Sequence, residues 1–143
     1  MNWQSLKTDH YFKEPFEHVL SSTIFDIREY DRLYENQNNF DHEIWQKFKE
    51  RYKQTYTFVE DITKIDLTKD VIALWFFKER SDQTAGPFIE IGNKQITYNH
   101  NTFFLTKHRR LIIKETKRKY IRRPVLQLDM TAKQFEDIIG NLK

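Results

Sequence analysis

The sequence predicts an α+β domain in which N-terminal helices pack on a mostly antiparallel sheet and a C-terminal helix ends the chain. Three observations predict this class. Apolar residues recur at helical spacing between 26 and 54, short apolar runs separated by turn residues follow from 71 to 128, and a helix-capping pattern begins at Thr131. The 143 residues are expected to form one domain, 1–143, long enough to bury a core.

The first part of the chain predicts one short strand and two helices. His18 to Phe25 mixes β-branched and aromatic residues and is typical of a strand. Asp26 can cap a helix to about Glu35, which ends because the Asn- and Gln-rich residues 36–39 hydrogen-bond their own backbone. Asp41 is expected to cap a second helix to about Gln54, with an apolar stripe formed by Ile44, Trp45, Phe48 and Tyr52.

The second half of the chain changes to strand patterns. Val71 to Phe77 is a continuous apolar run, which is typical of a strand covered on both faces. Phe88–Ile91 and Lys94–Tyr98 flank Gly92-Asn93 and predict a tight hairpin. Three further strands are expected at 102–105, 111–113 and 125–128.

A final helix is predicted from about Ala132 to Asn141. Thr131 and Gln134 stand three residues apart and form the pattern of a capping box. Together with the aromatic content of 12 Phe, 7 Tyr and 3 Trp, these elements predict one buried cluster. Its expected members are Trp45, Phe48, Leu74, Phe76, Ile89, Phe104 and Leu126.

Composition excludes several classes of chemistry. The chain has no Cys, which removes disulfides, thiolate nucleophiles and Cys-ligated zinc. No apolar signal segment is visible near the N-terminus, and the apolar run 71–77 is too short to cross a bilayer. A cytoplasmic protein without membrane contact is the expectation.

Charge is concentrated in one segment. Residues 107–123 hold nine of the 24 Lys and Arg residues and one acid, a net charge of +8. The other 126 residues carry 15 basic and 20 acidic side chains, a net charge of −5. Such a local field attracts phosphates or acidic protein surfaces. The residues expected to make those contacts are Lys107, Arg109, Arg110, Lys114, Lys117, Arg118, Lys119, Tyr120, Arg122 and Arg123.

Three interpretations of this basic segment stay open. The strands 111–113 and 125–128 would flank a turn at 116–119 and make a basic hairpin. Its Lys and Arg side chains can contact phosphates while Tyr120 stacks on a base, or they can bind an acidic protein partner. Alternatively, the hairpin is a solvated edge whose charges prevent association between sheets.

Several short motifs resemble a known enzyme family. Pro15-Phe16-x-His18 precedes the first helix, and a later strand series ends in Arg122-Arg123-Pro124. This arrangement resembles prolyl-hydroxylase-like 2-oxoglutarate/Fe(II) oxygenases. The resemblance implies a truncated double-stranded β-helix in which Arg122 or Arg123 occupies the position that binds the cosubstrate carboxylate. It also implies His108 as the counterpart of the distal iron ligand.

The metal-binding motif of that family is missing. None of the five histidines is followed two residues later by Asp or Glu. The family's iron needs a His-x-Asp/Glu pair and a later His. A separate metal site at His100 and His108 competes with the simpler interpretation of solvated histidines at a hairpin end.

The sequence therefore predicts a non-catalytic binding or accessory protein without a cofactor. Its basic hairpin, 107–123, would engage nucleic acid or an acidic protein surface. The alternative is a divergent oxygenase that uses Fe(II) and 2-oxoglutarate, which would require unusual ligands such as His100, His108 and Asp66 to converge.

Overall fold

The computed structural model describes residues 5–14, 16–53, 55–78, 88–91, 94–107, 111–114 and 123–143. Nine strands and three helices lie within these ranges. The strands are β1 Tyr11–Phe12, β2 His18–Ser21, β3 Tyr56–Val59, β4 Ile72–Phe76, β5 Phe88–Ile91, β6 Lys94–Thr97, β7 Thr102–Thr106, β8 Ile112–Lys114 and β9 Val125–Leu128. The helices are α1 Ile27–Glu35, α2 Glu43–Tyr52 and α3 Ala132–Gly140. The predicted α+β class is confirmed.

The strands form two antiparallel sheets. The large sheet has the order β1-β2-β7-β4-β9-β3, and the small sheet has the order β6-β5-β8. From β3 onward the pairs are nested, because β5 pairs with β6, β4 pairs with β7, and β3 pairs with β9. These three pairs are therefore arranged like the successive pairs of one long hairpin. The innermost pair, β5–β6, belongs to the small sheet.

The central strand β4 is buried on both faces, as its apolar sequence predicts. Ala73 and Trp75 belong to the core between the large sheet and the helices. Leu74 and Phe76 point the other way, into a second core shared with Ile89 of the small sheet. Alternate residues of a strand face opposite sides, so one continuous apolar run supplies both cores.

Aromatic packing fixes the helices on the large sheet. The ring of Phe25 stacks on Trp75 with centroids 3.5 Å apart. The indole Nε1 of Trp45 in α2 donates to the Asn36 carbonyl at 2.8 Å, and the Tyr30 hydroxyl in α1 donates to the Lys78 carbonyl at 3.0 Å. These bonds satisfy the polar atoms of large buried side chains, which would otherwise oppose burial.

The predicted core residues are all buried, but they form two clusters rather than one. Trp45, Phe48 and Leu126 lie under the helices. The other four lie between the two sheets: Leu74, Phe76, Ile89 and Phe104. A single cluster was the wrong expectation because the large sheet separates them.

Several boundaries also differ from the sequence expectation. His42, not Asp41, caps α2, and its Nδ1 accepts from the Ile44 N–H at 3.1 Å. Asp41 still lies within a turn, since the His42 N–H donates to the Asn39 carbonyl. The strand expected over 18–25 ends at Ser21, where hydroxyl bonds to Thr23 turn the chain. Strands β1 and β3 were not predicted.

Candidate functional site

The two ends of the basic segment, residues 107–123, lie at opposite ends of β4. β7 ends opposite Ile72 of β4, and β9 begins opposite Phe76. Between them the chain contributes β8 to the small sheet, where it pairs with β5. The described middle part of the segment, residues 111–114, therefore lies on the side of the large sheet that faces away from the helices.

The first residue of the basic segment is held by α3. The Lys107 ammonium lies 2.9 Å from a Glu136 carboxylate oxygen and 5.8 Å from the centroid of the Phe135 ring. Both partners lie on α3. The Lys107 and Glu136 side chains are about half exposed, so this ion pair adds little to the stability of the fold. Its main effect is to hold the Lys107 side chain beside α3.

The last residue of the basic segment is buried. Arg123 has an exposed fraction of 4%, and its backbone carbonyl accepts a hydrogen bond from Ile62 at 2.9 Å. Asp61 forms an isolated parallel bridge with it. Arg123 was expected at a binding surface, but its burial places the guanidinium inside the protein.

The remaining expected contacts are described only in part. Lys114 lies in β8, where its backbone pairs with Phe88. The other residues lie outside the described ranges: His108, Arg109, Arg110, Lys117, Arg118, Lys119, Tyr120 and Arg122. The side chain of Ile112 is 55% exposed, whereas the neighbouring Leu111 is buried in the core between the sheets.

The strands expected to form a basic hairpin do not pair with each other in the described ranges. β8 pairs with β5 in the small sheet, and β9 pairs with β4 and β3 in the large sheet. The expected hairpin is absent here because consecutive strands belong to different sheets. β7 and β9 lie in the large sheet, and β8 lies in the small sheet. The predicted turn at 116–119 lies outside the described residues.

Two of the three suggested metal ligands, His100 and Asp66, lie on different sides of the large sheet, and the third, His108, lies outside the described residues. His100 is exposed, with its ring 6.3 Å from that of Tyr30 in α1. Asp66 lies beyond the opposite face of the large sheet, where its backbone bonds to Gln127. Within the described ranges no group of three His, Asp or Glu side chains could hold a metal ion.

The carboxylates after β3 serve the local backbone. The Asp61 carboxylate accepts from the N–H and hydroxyl of Thr63 at 3.0 and 2.8 Å. Asp66 accepts from the N–H and hydroxyl of Thr68 in the same way. The Thr68 bonds lower the pKa of the Asp66 carboxyl. Both carboxylates therefore stabilise turns, which is a common use of Asp in loops.

A cleft of about 290 Å³ opens between α1 and α2, on the side of the molecule away from the small sheet. Its base includes Ile44 and the buried ring of Phe48. Four basic side chains line it in two pairs, each separated by four residues on one helix: Arg28 and Arg32 on α1, Lys47 and Arg51 on α2.

The acids near this α1–α2 cleft are already engaged. Glu29 accepts from Arg51 at 3.1 Å and from the Tyr52 hydroxyl at 2.7 Å. Burial, followed by the bond to Glu29, raises the pKa of Tyr52. An Asp26 oxygen accepts from the Arg28 backbone N–H at 2.8 Å and caps α1. The sequence reasoning did not single out these cations, because each looks like an ordinary solvated helix residue.

No protein-family model, curated protein or solved structure matches the chain. Among the described residues, no helix is long and apolar enough to cross a bilayer.

Proposed function

We propose that the protein is a non-enzymatic binding protein whose basic segment engages a polyanion, with nucleic acid as the partner. The observation that carries this proposal is the charge separation along the chain. The 17 residues from 107 to 123 have a net charge of +8, whereas the remaining 126 have a net charge of −5. A nucleic acid binds such a segment by exchanging condensed counterions for Lys and Arg.

The two anchored ends of the basic segment support this role. Lys107 is tied to α3, and the backbone of Arg123 is tied to Ile62 beside the large sheet. A segment attached at both ends loses less conformational freedom on binding than a free tail does. The seven other cations of the segment then supply the positive charge: Arg109, Arg110, Lys114, Lys117, Arg118, Lys119 and Arg122.

Fluorescence anisotropy with labelled single- and double-stranded DNA and RNA, repeated across salt concentrations, tests the proposal. We expect log affinity to fall linearly with log salt. Replacing Lys117, Arg118 and Lys119 together with Gln should make that slope shallower by about 0.7–0.9 for each phosphate that is no longer neutralised. The matched control replaces three exposed lysines elsewhere with Gln, and its slope should not change: Lys13, Lys49 and Lys53.

The outcomes separate the possible partners. Equal reductions of affinity in the triple variant and its control would mean that only net charge matters, which contradicts the proposal. If nucleic acid fails to bind at low salt but polyglutamate binds through the same three residues, the partner is an acidic protein and not nucleic acid. If neither polyanion binds, the basic segment is a solvated edge and the proposal is wrong.

A second candidate rests on the topology of the strands. We propose that the two sheets are a truncated double-stranded β-helix related to the 2-oxoglutarate/Fe(II) oxygenases. The nested pairs β5–β6, β4–β7 and β3–β9 support this, since a double-sheet jelly roll has the same nesting. The buried Arg123 before β9 also supports it, because the family resemblance implies an inward Arg at this point.

The oxygenase activity itself is disfavoured by the residues between the sheets. Apolar side chains of the loop after β3, including Ile62 and Ile65, pack against β4 in this space. Addition of Fe(II) and 2-oxoglutarate to purified protein should neither raise the melting temperature nor form succinate. Stoichiometric iron together with succinate would overturn the non-enzymatic proposal and show that the protein is an active oxygenase.

A further inference from the structure

We propose that the nucleic acid bound by the basic segment is single-stranded, with its bases on the outer face of the small sheet and its phosphates on the neighbouring Lys and Arg residues. The outer face is the side of the sheet β6-β5-β8 that points away from the large sheet. This inference rests on the proposed binding of nucleic acid, and it adds the kind of nucleic acid and the surface that the bases cover.

The register of the three strands identifies the residues of the outer face. Ile89 of β5 pairs with Ile96 of β6, and both are buried in the core between the sheets. Because side chains alternate along a strand, the positions on either side of these residues face the other way. Six positions therefore form the outer face in two rows: Gln95, Glu90 and Ile112 in the first, Thr97, Phe88 and Lys114 in the second. Gln95 and Thr97 are exposed, which agrees with this assignment.

Ile112 gives the outer face an apolar surface in the middle of the basic segment. Its side chain is 55% exposed, more than that of any other large apolar residue in the described part of the chain. The adjacent Leu111 already lies in the core, so burial within the fold does not explain an isoleucine at position 112. Phosphates are bound by cations and N–H groups and gain nothing from it. A base presents a flat, largely apolar face that covers Ile112 and excludes water from it.

The second row of the outer face brings an aromatic residue and a basic residue together. Phe88 of β5 is opposite Lys114 of β8 in the register, and the Cβ atoms of residues paired in this way lie about 5 Å apart. Such a combination suits single-stranded nucleic acid, because bases stack on aromatic rings while cations bind the phosphates between them. Lys114 belongs to the segment with a net charge of +8, so the surface beside this row is complementary in charge to a polyanion.

Glu90 restricts which part of the partner can lie over the centre of the outer face. It is opposite both Gln95 and Ile112, and it is the one acidic residue among the six positions. A carboxylate repels phosphates, whereas bases are uncharged and hydrogen-bond to polar side chains. A double helix presents phosphates on its outside and keeps its base faces stacked. A single strand can instead place its bases over Glu90 and Ile112 and its phosphates over the basic residues that flank them.

Fluorescence anisotropy with an unstructured DNA oligonucleotide, and with the duplex that it forms with its complement, tests the inference. Binding by charge alone favours the duplex, whose phosphates are denser and release more counterions each. We expect the opposite order, with the single strand bound about tenfold more tightly at physiological salt, because only its base faces are accessible. Duplex binding that is as tight as single-strand binding, or tighter, would overturn the inference and leave nucleic-acid binding itself intact. If neither probe binds at low salt, the inference and the proposed function are both wrong.

Two matched variants test the role of Ile112. Ile112→Thr keeps the β-branched shape that suits a strand but removes apolar surface. Ile27→Thr makes the same change at the start of α1, where Ile27 is 43% exposed. Extrapolating log affinity against log salt to about 1 M salt isolates the part of binding that does not depend on released counterions. Ile112→Thr should lower this extrapolated single-strand affinity about threefold and leave the salt slope unchanged, whereas Ile27→Thr should change neither.

The charge variant should give the complementary result. Replacing Lys117, Arg118 and Lys119 with Gln should make the salt slope shallower and leave the extrapolated affinity nearly unchanged. An extrapolated affinity that Ile112→Thr leaves intact, or that falls equally in Ile27→Thr, would overturn the placement of the bases on the outer face. If the charge variant still changes the slope in that case, the basic segment binds nucleic acid through phosphates alone, and the proposed function stands without this inference.

Discussion

The side-chain amide of Gln127 makes two hydrogen bonds to the backbone of Asp66, 61 residues closer to the N-terminus. Its Oε1 accepts from the Asp66 N–H, and its Nε2 donates to the Asp66 carbonyl, both at 2.9 Å. Gln127 is 3% exposed and pairs in register with Leu74 of β4. The buried Gln127 side chain therefore satisfies the N–H and carbonyl of Asp66, as the backbone of a neighbouring strand would. It holds the loop after β3 against the large sheet.

Replacing Gln127 with Leu should lower the free energy of unfolding by about 2–4 kcal/mol. The substitution keeps the volume but leaves the N–H and carbonyl of Asp66 without their partner, at a cost of about 1–3 kcal/mol each when buried. Urea denaturation measures the change. Gln46→Ala, at an exposed position of α2, is the control and should stay within about 0.5 kcal/mol of the parent. Equal stability of Gln127→Leu and the parent would show that these two bonds are dispensable.

Leu74→Ala should cost about 2–5 kcal/mol, the usual range for removing a core aliphatic side chain. Leu74 is fully buried between the two sheets. Ile112→Ala is the control in the same half of the molecule, because Ile112 is 55% exposed and its truncation creates no cavity. Thermal and urea denaturation compare the two variants. A smaller destabilisation for Leu74 than for Ile112 would mean that the core between the sheets does not carry stability.

Asn101 combines an unusual backbone with two buried side-chain bonds. Its φ is 48°, in the left-handed region that disfavours most side chains. Its Oδ1 accepts from the indole N–H of Trp75 at 3.0 Å, and its Nδ2 donates to the Phe25 carbonyl at 3.2 Å. The residue therefore joins the turn before β7 to the core under the helices.

Asn101→Ala should lower stability by roughly 2–4 kcal/mol, from the unpaired indole N–H and the backbone strain. Asn101→Gly should cost about 1 kcal/mol less, since glycine adopts positive φ without strain. Urea denaturation followed by tryptophan fluorescence measures both. Asn99→Ala, at an exposed position of the same turn, should be nearly neutral. If Asn101→Ala and Asn101→Gly lower the free energy of unfolding by the same amount, backbone strain at position 101 makes no contribution to the loss of stability.

The sequence predicted the elements better than their connections. The period of α1, the capping box of Thr131 and the apolar run of β4 are local signals, and the structure has each of them where expected. The α2 cap was displaced by one residue, because His42 accepted the role through a ring nitrogen. Strand β3 was missed although Tyr56–Val59 is rich in β-branched and aromatic residues.

What could not be predicted depends on contacts between distant residues. The division into two sheets places β8 and β9 apart, and no local property of 111–128 encodes that separation. The cleft between α1 and α2 likewise arises only when Arg28 and Lys47 are brought to facing helices. Charge density in 107–123 was visible in the sequence, whereas the burial of Arg123 depends on its contact with the distant residues Asp61 and Ile62.

Tyr11 and Glu17 are expected to titrate as a linked pair. The Tyr11 hydroxyl donates to a Glu17 carboxylate oxygen, and this bond is the main cause that raises the pKa of Tyr11 to about 12. The same bond lowers the pKa of Glu17, with a further contribution from Lys143, whose Nζ lies 3.3 Å from the carboxylate. Tyr11 lies in β1 and Glu17 immediately precedes β2, so their hydrogen bond joins the starts of these two strands.

The sign of each pKa shift defines where the Tyr11–Glu17 bond stabilises the fold. The lowered pKa of Glu17 contributes stability above the unfolded value of 4.5, and this contribution is lost as pH falls through the folded pKa. The raised pKa of Tyr11 contributes below 10, and this contribution is lost as pH rises from 10 to about 12. The stability difference between the parent and Tyr11→Phe should therefore be largest between these limits.

Tyr11→Phe should move the Glu17 carboxyl titration toward its ordinary range while leaving part of the shift from Lys143. Carbon-13 NMR of the Glu17 side-chain carboxyl across pH measures the midpoint directly. Tyr34→Phe, on α1, is the control and should leave this midpoint unchanged. A Glu17 midpoint that is the same in Tyr11→Phe and the parent would show that the hydroxyl does not set the carboxyl pKa. A second substitution, Lys143→Gln added to Tyr11→Phe, should raise the Glu17 midpoint further. It removes the ammonium group that lies 3.3 Å from the Glu17 carboxylate and favours its charged form.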